Sequence, residues 1–96
     1  MNTEEHLLTI VSEEYAEVSQ RATKALRFGL DEIQKGQKLT NARRLRYEFS
    51  DLLGAYEFLV EQGLASWPSK TEIKTKKAKI RKYLRYSEDL GTLKNY

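Results

Sequence analysis

The chain has no cysteine, one histidine, one proline and no long apolar run. Without cysteine there is no disulfide, no thiolate metal site and no cysteine nucleophile, a composition that suits a reducing compartment. With His6 as the only histidine, a structural zinc site is nearly excluded and any metal must rely on oxygen ligands. A serine–histidine triad would have to draw on this one residue near the N-terminus, and His6 is read as a surface side chain without a role. No stretch approaches the ~20 apolar residues needed to cross a bilayer, and the opening Met1-Asn2-Thr3-Glu4-Glu5 lacks the basic-then-apolar pattern of a signal peptide. A cytoplasmic protein with no membrane partner is expected. The strict alternation of a half-buried strand is missing as well.

What is present is helical spacing. The 96 residues, 40% hydrophobic and 32% charged, suit a single domain over 1–96 with room for only one core. Leu7, Val11, Val18, Ala22 and Ala25 share one stripe of a helix over about 3–28, with Gly29 as its stop. Residues 30–38 are polar and weakly periodic and read as a loop holding at most one helical turn. Thr40 or Asn41 can cap a second helix over about 41–62, with Leu45, Phe49, Leu52, Tyr56, Leu59 and Val60 on its stripe and Gly63 after it. After Trp67-Pro68, Ser69 or Thr71 can start a third helix over about 70–90, on which Ile73, Ile80 and Leu84 share a face before Gly91. The expected fold is all-α: three main helices in a bundle whose thin core is completed by oligomerisation, through pairing with a second copy.

The net charge of +3 conceals a segregation. Residues 1–67 carry 8 basic and 11 acidic side chains, a balance of −3, whereas residues 68–96 carry 9 and 3, a balance of +6.

Two acidic residues stand where apolar ones are expected. With Leu7 at 0° on a wheel of about 100° per residue, Val18 falls at about 20° and Glu14 at about −20°, inside the stripe. Glu17 lies one turn on, at the stripe's edge. On the second helix Glu48 borders the buried face, with Asp51 one turn beyond. Acidic pairs three apart arise readily on solvated faces. A carboxylate within an apolar stripe, however, must be neutralised, paired or bound to a cation. Arg21 is one available counter-charge. Four carboxylates against one inward arginine leave an excess of negative charge, which suits a hard divalent cation, Mg²⁺ or in its place Mn²⁺.

Glu13-Glu14-Tyr15-Ala16-Glu17 followed by Glu48-Phe49-Ser50-Asp51-Leu52-Leu53 resembles the E-E-x-x-E and E-x-x-D signature of the MazG-like all-α nucleoside triphosphate pyrophosphohydrolases. The resemblance spans roughly residues 5–60. It implies a helical enzyme, assembled as a homodimer or homotetramer, that uses Mg²⁺ to hydrolyse a nucleoside triphosphate between the α and β phosphates. It assigns Glu14, Glu17, Glu48 and Asp51 to the metal and catalytic site, while Glu13 matches the signature's leading glutamate. Small size and the tail from Lys79 to Tyr86 look similar to phage-encoded members, which implies the host cytoplasm.

Magnesium does not neutralise all of a triphosphate's charge. Lys24 and Arg27, further along the first helix, are candidates for the phosphates, as are Lys76, Lys79, Lys82 and Tyr83 on the third. Trp67 and the tyrosines are candidates for base stacking, although aromatics at such positions more often pack in cores. Asn41 is a candidate for a base or sugar contact, or simply a helix cap. On this reading nucleic acid is not an expected partner. The runner-up is a helical nucleic-acid-binding module that uses the basic third helix, and under it Glu14 and Glu48 have no purpose.

Overall fold

The computed structural model describes residues 1–94, which form three α-helices and no strand. These are α1 (Thr3–Phe28), α2 (Asn41–Glu61) and α3 (Lys70–Leu90). None is long and apolar enough to cross a membrane. The chain groups into two compact units, residues 1–66 and the remainder from Trp67 on.

In the first unit, α1 starts where Asn2 accepts a hydrogen bond from the Glu5 N–H, and Glu4 and Glu5 place negative charge at the positive end of the helix. It stops at Gly29, whose φ of 98° disfavours any other residue. The connection to α2 consists of turns. It is held by Asn41 N–H to Glu32 O and Ala42 N–H to Leu30 O, both 3.0 Å. Thr40 caps α2 by accepting from the Arg43 N–H. Asn41 therefore does not cap. It is 2% exposed, and its Nδ2 donates to Gly29 O at 2.9 Å and to Glu32 Oε1 at 2.8 Å, tying the end of α1 to the start of α2.

At the opposite end Leu7 and Ala65 pack into the same cluster, so α1 and α2 run antiparallel. The centre of that cluster is Val11, Leu52 and Leu59, flanked by Val18, Ala55 and Tyr56. Two members of the expected stripes are exposed: Ala22, and Phe49 at 48%. Between these two helices only the arc of each that faces the other is covered, and that arc is narrower than the apolar stripe. Arg21 is buried instead, at 9% exposure.

In the second unit, Ser69 and Glu72 form a reciprocal capping box at the start of α3. The Ser69 backbone N–H, first, and then the Ser69 side chain hold the Glu72 carboxyl below its ordinary pKa. Gly91 ends the helix in the left-handed conformation. Ile73, Ile80 and Leu84 do share a face, but none of the residues of α3 is buried.

Candidate metal centre

Antiparallel packing brings the two halves of the acidic pattern together. Glu14 sits between Val11 and Val18 on the face of α1 turned to α2, and Glu48 sits one turn before the buried Leu52. Both are half-buried, and Glu17, one turn beyond Glu14, is exposed. One carboxylate oxygen from each of Glu14, Glu17 and Glu48 lies within 4.8 Å of the other two. Oxygens on opposite sides of one Mg²⁺ stand about 4.2 Å apart, so a small side-chain adjustment brings all three within reach of one ion.

Electrostatics make the same point. Burial, first, and then the negative charges of Asp51, Glu17 and Glu13 push the Glu14 carboxyl above its ordinary pKa. Glu48 is also raised, chiefly by a hydrogen bond with Glu17, then by burial and by the charges of Glu17, Asp51 and Glu14. Two ionised carboxylates contain no donor, so that bond exists only when one of the two carries a proton. The Oε2 atoms of both Glu14 and Glu48 are buried without a hydrogen-bond partner among the described residues. Every charge that acts on the pair is negative. Arg21 does not fill the role of counter-charge, since its own Nη1 is buried without a partner.

The remaining candidates are distributed as follows. Asp51 is exposed and outside the close triad, yet near enough for its charge to act on Glu14 and Glu48. Lys24, half-buried, and Arg27, exposed, lie on α1 beyond Glu17. They border a depression of about 270 Å³ together with Phe28, Glu32, Gln34 and Asn41. The Arg27 guanidinium sits 4.9 Å from the centre of the Phe28 ring. Phe28, Glu32 and Gln34 carry no signal in the sequence, because the connection they border has no periodicity to set them apart. Lys76, Lys79, Lys82 and Tyr83 all belong to the second unit.

Compared with known proteins, the chain matches no family model, no curated sequence and no solved structure. The functional reading therefore stands on the acidic motifs and their geometry.

Proposed function

We propose that the chain is a nucleoside triphosphate pyrophosphohydrolase of the MazG-like kind, with Mg²⁺ held by Glu14, Glu17 and Glu48 and assisted by Asp51. The observation that carries the reading is the triad itself: carboxylates 31 to 34 residues apart in sequence converge from two helices to within 4.8 Å, with two buried oxygens unpartnered among the described residues. Half-buried, mutually repelling carboxylates are destabilised unless a proton or a shared cation neutralises them. A donor set made only of oxygens suits Mg²⁺, with Mn²⁺ as a substitute.

When bound, the ion supplies neutralising charge for phosphate oxygens and lowers the pKa of a coordinated water. The chain's own side chains do the rest. Lys24 and Arg27, on α1 beyond Glu17, offset the negative charge of the phosphate chain. Glu14, which sits between Val11 and Val18 in the stripe that α1 turns to α2, accepts a proton from the attacking water. The water oxygen bonds to the α phosphorus, the bond from that phosphorus to the oxygen bridging to the β phosphate breaks, and pyrophosphate leaves with the electron pair. The products are a nucleoside monophosphate and pyrophosphate.

The test is a panel of ribo- and deoxyribonucleoside triphosphates incubated with the protein and Mg²⁺, with products resolved by chromatography. Monophosphate plus pyrophosphate is expected from at least one member. Glu48→Gln and Asp51→Asn are expected to abolish its release with helicity retained by circular dichroism. Diphosphate plus orthophosphate, or full activity in either variant, contradicts the assignment.

A further inference from the structure

The chemistry proposed for α1 and α2 leaves the second unit without a role, and its surface has a distinct character. Between Ile73 and Ser87, α3 carries seven lysines and arginines and no acidic residue. Lys77–Arg81 and Arg81–Arg85 are four apart, and Lys76–Lys79 and Lys79–Lys82 are three apart. Neighbours at these spacings lie side by side on a helix and repel. All seven are exposed, so no side chain of the fold relieves them by burial. An exposed helix with such uncompensated charge is complementary to a polyanion.

Its aromatic residues select among polyanions. With Ile73 at 0°, Lys76, Tyr83, Lys79 and Tyr86 fall at about −60°, −80°, −120° and −140°. Two lysines followed by two tyrosines thus share one arc of α3, over about 15 Å of its length. Tyr83 is 60% exposed and Tyr86 58%. A depression of about 350 Å³ lies on this side, lined by Lys76, Lys79, Ile80, Tyr83, Leu84 and Ser87. Lys82 Nζ stands 6.0 Å from the centre of the Tyr83 ring, so a base on that ring has a cation beside it. By contrast the aliphatic arc of Ile73, Ile80 and Leu84 is only about 40° wide, with Lys77 at about 40° beside it. A face that sinks into a lipid surface needs an apolar arc of about 100° or more.

We propose that α3 binds single-stranded nucleic acid, with Lys76, Lys79 and Lys82 on the phosphates and Tyr83 and Tyr86 stacking on bases. Sequence preference is weak, because every base offers a stacking face. The proposal does not rest on the pyrophosphohydrolase reading, and each stands or falls separately.

Fluorescence anisotropy of the 96-residue chain with a labelled 15-nucleotide single strand, without triphosphate or Mg²⁺, tests it. Binding is expected to weaken with salt, with a log–log slope of about −2 for three lysine–phosphate contacts. The double substitution Lys76→Gln/Lys79→Gln should make that slope shallower by about 1.4. Tyr83→Ala should weaken binding roughly tenfold and Tyr83→Phe should not. Circular dichroism of each variant checks that α3 is still helical. Absence of binding at low salt, an unchanged slope in the double variant, wild-type affinity in Tyr83→Ala, or equal affinity for a duplex of the same length overturns the proposal. So does binding to phosphatidylserine vesicles without binding to the strand.

Discussion

Burial and neighbouring negative charge bear directly on how Glu14 and Glu48 titrate. Both are raised above the ordinary value of 4.5, so just above that pH the folded chain holds protons that the unfolded chain has already released. Stability contributed by these groups is therefore complete below about pH 4.5 and is lost as the pH climbs through the raised values. Without divalent cations the thermal midpoint, relative to that of Glu48→Gln, is expected to fall from about pH 4.5 towards neutrality. Added Mg²⁺ should restore it at neutral pH, because an ion that binds only the folded state stabilises it by mass action. Circular dichroism melts across pH, with and without Mg²⁺, check this, and a difference that grows with pH contradicts it. The anomaly was visible in the sequence for Glu14, a carboxylate inside an apolar stripe. Arg21 was read as its possible counter-charge, because a wheel gives a side chain's direction and not the atom it reaches.

At the scale of elements, the hairpin of α1 and α2 depends on the tie at Asn41. Replacing it with alanine removes both bonds of Nδ2 and leaves Gly29 O and Glu32 without that donor. We expect Asn41→Ala to lower stability by about 1–3 kcal/mol, read from urea unfolding. A loss below a few tenths of a kcal/mol would show that the turn is held by its backbone bonds alone. Helix positions were legible because their stops are local: Gly29, Gly63 and Gly91 follow the helices, and Thr40 and Ser69 precede them. Asn41 was misjudged between cap and ligand contact, since its partners are 12 and 9 residues away in sequence. Phe49 and Ala22 fit an apolar stripe as well as Val18 does. Which part of a stripe is covered depends on how many helices pack on it, and periodicity does not contain that.

For the molecule as a whole, the segregation of charge follows the division into two units. The acidic first unit carries the candidate metal centre, and the basic second unit carries the surface proposed for phosphates. The all-α fold could be read from spacing alone, whereas this division into units could not. Few side chains are buried: among the described residues the buried hydrophobics are Val11, Ala25, Leu52 and Leu59. An apolar groove of about 470 Å³ also opens on the hairpin, lined by Val18, Ala22, Ala42, Leu45, Arg46 and Phe49. We propose that a second copy covers it, which adds the burial so small a core lacks. Light scattering is expected to give at least twice the 11.2 kDa of one chain, with Phe49→Ser shifting the protein towards monomer. A monomeric wild-type protein contradicts this.

The central claim is that three glutamates from two helices share one divalent cation. Electron paramagnetic resonance of Mn²⁺ tests it most directly, because the signal of the free aqueous ion is lost on binding. Titration of the wild-type protein should remove at least one equivalent of free Mn²⁺ per chain, reversed by excess Mg²⁺. Glu48→Gln, folded by circular dichroism, should leave the signal of the free ion nearly unchanged. An undiminished signal with the wild-type protein, or equal loss with the variant, contradicts the account.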